Sequence, residues 1–282
     1  MNIFFLAGIP RAGNTLLASI MNQNPDVKVT ANSIVMEIAR NIESQRTSEV
    51  FLNFPDHKSL DNILSNLYSN YYKDWNCKYI IDRNYLAVTL SKMSNGLKVL
   101  KKCLKNKLKI IILVREFLEV LQSVLKNIRE KPHIPPFGAP LDFGQATDYI
   151  GASSGRYTDE SLCGMLASRD TAIYKGFLGA RLLSNTFPKE NLHFVHYNDL
   201  VENPKITIDN IYNFLEIPSF EHRFENLNQL EINGVKYDDT MMAFGRDLHK
   251  VKEDKISFTE HKPLPKSVME KYGNLNLLKG MI

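Results

Sequence analysis

The sequence has few cysteines and no pattern that would use them. Its cysteines, Cys77, Cys103 and Cys163, are widely spaced, and no two of them form a C-x-x-C pair. An odd number without close pairs argues against a disulfide framework and against a structural zinc site. No grouping of His, Cys, Asp or Glu along the chain has metal-ligand spacing. We therefore expect a protein without a bound metal, in a reducing compartment.

Long hydrophobic runs are also missing. No apolar run approaches the ~20 residues that a membrane-spanning helix needs. The apolar start, Met1–Ala7, is short and has no basic region before it, and Arg11 follows almost at once. It therefore lacks the pattern of a signal peptide. We expect a cytoplasmic protein without a membrane span.

The net charge of the chain is small. The chain of 282 residues has a formal net charge of +4, with 44% hydrophobic and 23% charged residues. This composition is typical of a globular protein that buries one large core. A mild positive excess suits an anionic ligand. Because there is no arginine-rich arm and no alternation of aromatic and basic residues, we expect no nucleic-acid partner.

Short apolar runs alternate with amphipathic segments along most of the chain. The predicted strands are Asn2–Gly8, Val27–Ala31, Lys78–Asp82, Lys109–Val114 and Leu192–Tyr197. The predicted helices are Asn14–Asn24, Ser33–Ser44, Leu60–Lys73, Glu116–Arg129 and Lys205–Glu216. This order predicts an α/β fold of three layers, in which helices cover both faces of a mainly parallel sheet of about five strands. Ligands of such sheets bind beyond the carboxyl ends of the strands.

Two stretches depart from the alternating pattern. The segment Lys131–Thr158 is rich in proline and glycine, and a loop of this length in a compact domain is typically a lid or a binding loop. The segment 219–282 has weak periodicity and many polar residues. We predict one domain over residues 1–282, with a loop at 131–158 on the acceptor side and a C-terminal segment that wraps around the domain.

The loop after the first strand has the chemistry of an anion site. Gly8 and Gly13 stand where the backbone turns sharply, Arg11 adds a positive charge and Thr15 adds a hydroxyl donor. Backbone N–H groups at the start of the following helix would point at a phosphate or sulfate. The loop lacks the Gly-Lys-Ser/Thr ending of a Walker A loop, which serves a magnesium-bound triphosphate. The alternative is an ordinary turn with a chance arginine.

A second candidate anion site follows the central strand. Arg115 ends that strand and can form two parallel bonds to a phosphate, and Ser123 lies about two turns into the next helix. Alternatively, Ser123 bonds to its own helix backbone, and Arg115 forms a salt bridge with Glu116 or Glu119.

Three motifs, in this order, resemble those of the sulfotransferases that use PAPS (3′-phosphoadenosine 5′-phosphosulfate). PRAGNTLL (Pro10–Leu17) is similar to their 5′-phosphosulfate loop, and LVREFLEVLQS (Leu113–Ser123) is similar to their 3′-phosphate motif. VHYNDLVENP (Val195–Pro204) is similar to a third family segment, which contains a tyrosine. The branch with the tyrosylprotein and bacterial sulfotransferases is the most similar.

The resemblance implies a P-loop-like fold and transfer of a sulfuryl group from PAPS to a hydroxyl or amine acceptor, with release of PAP and without a metal. It implies that Arg115 and Ser123 hold the 3′-phosphate and that Tyr197 contacts the nucleotide. The residues implied to hold the 5′-phosphosulfate are Arg11, Ala12, Gly13, Asn14 and Thr15. The acceptor could be a small molecule, a glycan, a lipid or a peptide.

The sequence departs from the family at the position of the general base. Asn32 stands where members of this branch often carry an acidic residue, and an amide cannot accept the acceptor's proton. Glu37 is the nearest carboxylate downstream, and His133 in the long loop is the second candidate. Arg83 follows the third strand, where relatives often have lysine, and could stabilise charge on the sulfuryl group or pair with Asp82. The candidate catalytic residues are Arg11, Arg83, Glu37 and His133.

Two other functions stay open at this point. A P-loop kinase of a small molecule would need a Walker lysine and magnesium ligands, which the sequence does not show. A catalytically inactive relative that binds PAPS or PAP is the second alternative, because Asn32 replaces the usual acid. His249 resembles part of a C-terminal segment of some bacterial relatives and is a further candidate near the donor.

Overall fold

The computed structural model describes residues 1–84, 99, 102–103, 108–130, 157–169, 171–238, 251 and 254–281. The predicted loop Lys131–Thr158 lies outside the described residues, apart from Tyr157 and Thr158. His133 and His249 also lie outside them.

A sheet of five parallel strands forms the centre of the fold. Its strands are β1 (Asn2–Gly8), β2 (Val27–Val29), β3 (Tyr79–Asn84), β4 (Ile110–Val114) and β5 (Leu192–His196). Their order across the sheet is β2-β3-β1-β4-β5, and each neighbouring pair is parallel. The predicted parallel α/β sheet is therefore confirmed. The order places the carboxyl ends of β1, β3 and β4 side by side.

Helices connect the strands. They are α1 (Asn14–Met21), α2 (Val35–Ser44), α3 (Glu49–Asn53), α4 (His57–Tyr71), α5 (Phe117–Glu130), α6 (Asp159–Leu166), α7 (Ala172–Thr186), α8 (Tyr197–Glu202), α9 (Pro204–Leu215) and α10 (Lys266–Tyr272). Two short 3-10 helices span Gln45–Thr47 and Lys189–Asn191, and a hairpin joins β6 (Glu231–Ile232) to β7 (Val235–Lys236). No helix in the described ranges is long and apolar enough to cross a membrane.

The core lies on both faces of the sheet. All five residues of β4 are buried, as expected for a β-branched strand covered by helices on each side. The helix α5 packs Phe117, Val120, Leu121 and Val124 against the sheet, each at most 2% exposed. This spacing of three and four residues places the apolar side chains on one face of the helix, and Ser123 and Lys126 lie off that face.

The described part of the C-terminal segment packs on the same core. Leu264, Val268 and Leu277 are buried in the main hydrophobic cluster. Arg181 Nη2 of α7 donates to the carbonyl of Leu277 at 3.0 Å. A single domain with a wrapping C-terminal segment stays a prediction, and these contacts support it.

Candidate functional site

The loop between β1 and α1 has two residues in the left-handed region. Arg11 has φ 65° and Gly13 has φ 87°. A Cβ on Gly13 would also lie 3.0 Å from Cδ2 of Tyr197, so both the backbone conformation and the close ring favour glycine. Gly13 precedes α1 and provides no side-chain cap. The first N–H groups of α1 are thereby available to an anion, which the helix dipole favours at this end.

Asn14 and Ala12 shape this loop from within. Asn14 Nδ2 donates to the carbonyl of Ile9 at 3.0 Å, and the amide N–H of Ala12 donates to the same carbonyl at 3.3 Å. A Cβ on Gly8 would lie 1.6 Å from Asn14 Oδ1, so Gly8 provides the space for this side chain. The Asn14 side chain therefore fixes the loop from within.

Two predicted anion sites form one cluster in the structure. Arg11 Nε donates to Ser123 Oγ at 3.1 Å, and Arg115 Nη1 donates to the carbonyl of Arg11 at 3.1 Å. We call Arg11, Arg115 and Ser123 the arginine–serine cluster. Ser123 is 3% exposed, and its hydroxyl accepts from Arg11 in the loop after β1. The alternative, a serine bonded to its own helix backbone, did not predict this contact.

Arg115 is held by neighbours on several sides. Its Nε donates to Glu119 Oε2 at 3.0 Å, which is one of the salt bridges considered from the sequence. Its Cζ lies 4.0 Å from the ring centroid of Tyr197, a cation–π distance. A guanidinium has five N–H donors, and the bonds to Glu119 and Arg11 use two of them. The salt bridge therefore orients Arg115 and leaves donors for a phosphate.

A second group of contacts lies at the end of β3. Arg83 is 5% exposed, and its Nη1 donates to Thr15 Oγ1 at 3.2 Å. Its Cζ lies 5.9 Å from the ring centroid of Tyr237, and Asn32 Nδ2 donates to the Tyr237 hydroxyl at 3.1 Å. Arg83 thus contacts Thr15 of α1 on one side and Tyr237 on the other. Tyr237 in turn bonds to Asn32, which stands at the position of the family's acidic residue. No sequence motif indicates Tyr237, which follows a short hairpin in a segment of weak periodicity.

Asp82, the neighbour of Arg83, belongs to a different set of contacts. Asp82 is fully buried and accepts a hydrogen bond from the Tyr72 hydroxyl. The same hydroxyl lies 3.2 Å from Ser33 Oγ. Burial, together with the neighbouring Asp82, raises the pKa of Tyr72 well above its ordinary value. These contacts tie the segment after β2 to β3.

Glu37, the first candidate for the base, lies on the exposed side of α2. Its carboxylate accepts from Arg40 Nη1 at 2.7 Å and 3.0 Å, and its side chain is 56% exposed. Within the described ranges its bonds do not join it to Arg11, Arg83 or Thr15. His133 lies outside these ranges.

The C-terminal segment contributes residues that no sequence motif indicated. The Phe258 ring packs edge-on against Tyr197, with centroids 6.0 Å apart, and Lys126 Nζ donates to the carbonyl of Glu260 at 3.1 Å. The next residue, His261, has two buried ring nitrogens without a hydrogen-bond partner among the described residues. In the same ranges no group of three or more His, Cys, Asp or Glu side chains is placed to hold a metal.

Comparison with known proteins gives one family. The family model described as "Sulfotransferase domain" matches residues 2–243. No curated protein matches the chain in sequence.

Among solved structures, the sulfotransferase domain from the curacin biosynthetic pathway is similar at TM-score 0.54 and 15% identity, covering 97% of this chain and 96% of that one. The sulfotransferase domain of the Synechococcus PCC 7002 olefin synthase is similar at TM-score 0.50 and 15% identity, covering 97% and 94%. At these identities the likeness establishes the fold.

Proposed function

This chain belongs to the sulfotransferase family, whose model spans residues 2–243 of its 282, and from that premise we propose that its sulfuryl donor is PAPS. It is therefore a sulfotransferase, and the resemblance of its three motifs to this family is confirmed. The match favours this activity over that of a small-molecule kinase. In the proposed reaction the acceptor is a hydroxyl or an amine, and PAP is released.

The observation that carries the donor assignment is the presence of two separate cationic positions around one loop. PAPS is anionic at its 3′-phosphate and at its 5′-phosphosulfate. The arginine–serine cluster provides two guanidinium groups and a hydroxyl on one side. On the other side, the start of α1 with Arg83 and Thr15 provides backbone N–H groups, a third guanidinium and a second hydroxyl. We assign the 3′-phosphate to the cluster and the 5′-phosphosulfate to the start of α1.

Tyr197 lies between these positions. Its ring packs against Gly13 and beneath the guanidinium of Arg115, so it is placed to contact the nucleotide between the two anionic ends. The absence of a Cβ at Gly13 lets the Tyr197 ring lie close to the loop backbone.

Bound PAPS would supply the activated sulfuryl group. In the transfer, the acceptor oxygen or nitrogen forms a bond to sulfur while the bond between sulfur and the 5′-phosphate oxygen breaks. The electron pair leaves with PAP, and the acceptor's proton passes to a base. Arg83, with the backbone N–H groups that follow Arg11 at the start of α1, would stabilise the negative charge that moves onto the phosphate side of the breaking bond.

For the base, we propose Glu37 first and His133 second. Glu37 would have to leave Arg40 to reach an acceptor. An exposed ion pair of this kind is worth only about 0–1 kcal/mol, so its release would cost little.

The acceptor side is proposed to include the loop Lys131–Thr158, as a lid over a small-molecule, glycan, lipid or peptide acceptor. If so, deletion of the loop tip should raise the KM for the acceptor and leave the affinity for PAP nearly unchanged. Loss of PAP binding would instead place the loop in the nucleotide site or in the fold.

The cytoplasm is the proposed location, because Cys77, Cys103 and Cys163 are free thiols, which a reducing compartment preserves. Cys103 and Cys163 are buried, and burial raises the pKa of Cys103 to about 12 and that of Cys163 to about 11. Such thiols react slowly.

Calorimetry with PAP tests the donor assignment. Binding is expected in excess chelator, because the proposed contacts come from protein donors, and ATP with magnesium serves as the comparison. Mass spectrometry of products from PAPS and a panel of acceptors then tests the transfer. If PAP fails to bind while ATP with magnesium binds, the donor assignment is wrong.

A further inference from the structure

His261 is a half-buried side chain whose two ring nitrogens are buried and have no partner among the described residues. Both ring nitrogens are inaccessible to solvent and lack a hydrogen-bond partner among the described residues. A buried imidazole without partners loses its hydrogen bonds to water and gains none in return. The described protein contacts therefore give no reason for a histidine here, and a bound ligand would.

The position of His261 is fixed by its neighbours in sequence. Lys126 of α5, three residues after Ser123, holds the carbonyl of Glu260 at 3.1 Å. Phe258 packs on Tyr197, whose ring lies under Arg115. The segment 258–261 thus lies against Lys126 and Tyr197, which neighbour the arginine–serine cluster, and the charges of Arg11 and Arg115 act on the His261 ring.

The charges that act on His261 come from three elements. Arg11 of the loop after β1, Arg115 at the end of β4 and Lys126 of α5 are cationic, and Glu119 of α5 opposes them. Burial, and then these cations, hold the pKa of His261 below its ordinary value, while Glu119 acts in the other direction. These effects favour the neutral imidazole in the free protein.

We propose that His261 is a further donor-binding residue: its ring contacts the 3′-phosphate of the nucleotide beside Arg11 and Arg115, and it takes up a proton as the nucleotide binds. The inference rests on the proposed use of PAPS. It adds one binding residue and the uptake of one proton when the nucleotide binds. A phosphate brings about −1.5 to −2 charges at pH 7, which offsets the surplus positive charge of Arg11, Arg115 and Lys126 over Glu119 and places an anion beside the ring. In that field an imidazolium is favoured, and both of its N–H groups can donate.

The sign of the pH effect follows from linkage. The pKa of His261 is low in the free protein and higher in the complex, so a proton is taken up between the two values. In that window the affinity for PAP falls as the pH rises, by at most about tenfold per pH unit. Below the free value and above the bound value, the histidine makes no contribution to the pH dependence.

Calorimetry in buffers with different heats of ionisation measures this proton. PAP is titrated into wild type, His261→Gln and His193→Gln between about pH 7 and 8.5, above the second phosphate pKa near 6. His193 is the matched control: its pKa is also lowered by burial, but its ring stacks on Phe214, away from the cluster. Adenosine 5′-phosphate, which lacks the 3′-phosphate, is titrated in parallel.

The expected result is proton uptake with PAP in wild type and His193→Gln, and its loss in His261→Gln. His261→Gln should also bind PAP roughly 10- to 150-fold more weakly at the acid end of the range, the scale of a lost charged hydrogen bond, with little change for adenosine 5′-phosphate. The wild-type proton uptake needs no variant, so it tests the proposal even if a variant folds poorly.

Two outcomes would overturn the inference, and they differ. If wild type binds PAP without proton uptake, or if His261→Gln keeps the wild-type uptake and affinity, the donor assignment stands and His261 is not part of it. If wild type does not bind PAP, the donor assignment itself fails, and this inference fails with it.

Discussion

Replacement of Arg115 by alanine is the most direct test of the 3′-phosphate site. Arg115 is 6% exposed, and contacts with Glu119, Tyr197 and the Arg11 carbonyl fix its guanidinium. Because the guanidinium is held in place before the ligand arrives, little additional ordering is needed on binding. A hydrogen bond to a charged group is worth about 1.5–3 kcal/mol, so Arg115→Ala should weaken PAP by roughly 10- to 150-fold.

The assay is calorimetry with PAP and with adenosine 5′-phosphate, for wild type, Arg115→Ala and Arg115→Lys. Arg115→Lys should recover part of the affinity, since it keeps the charge and loses the forked geometry. Arg129→Ala is the matched control, because Arg129 lies on the same helix and forms an ion pair with Asp159 at 2.7 Å. Thermal unfolding shows whether the loss of the Glu119 salt bridge affects stability. An equal loss for both nucleotides would refute the assignment of Arg115 to the 3′-phosphate.

Three further predictions concern the loop, the charge at β3 and the base. Gly13→Ala should destabilise the protein by about 1–3 kcal/mol in urea unfolding and weaken PAP, because its φ of 87° is strained for alanine and the new Cβ would meet Tyr197; unchanged stability would contradict this. Arg83→Ala should lower kcat by roughly 10²- to 10³-fold in a steady-state assay and should also weaken PAP, because Arg83 belongs to the proposed 5′-phosphosulfate site; a loss confined to PAP affinity would place Arg83 in donor binding alone. Glu37→Gln should lower turnover about 100-fold or more at unchanged PAP affinity, whereas near-normal turnover would move the base to His133 or elsewhere, with His133→Ala as the next variant.

The sheet could be predicted because each strand has a local pattern. Ile110–Val114 is a β-branched run with its strand bounds at 110–114, one residue from the predicted start. Helix starts were less accurate for a physical reason. α4 begins at His57 and not at Leu60, since the Asp56 side chain accepts from the Ser59 N–H at 3.0 Å and caps a polar first turn. Because this first turn is polar, the spacing of apolar residues does not indicate where the helix begins.

The candidate site was predictable only where a short motif carries it. Arg11 and Ser123 belong to separate motifs, and the structure joins them across 112 residues. Tyr237 and His261 lie in segments without periodicity, and their contacts depend on how the chain returns to the sheet. A single sequence contains no local feature that encodes such a return.

The position of Arg11 also has a consequence for the choice of nucleotide. Its carbonyl is bonded to Arg115 and its side chain to Ser123, and the backbone that follows it leads directly into α1. One residue therefore fixes the spacing between the two phosphate positions. A nucleotide whose second phosphate is on the 2′ oxygen has the same charge as PAP, but its two phosphates are differently spaced. The site should thus bind the two isomers with different affinities, because the distance between their phosphates differs. This difference should persist at high ionic strength, where discrimination based on charge alone is screened.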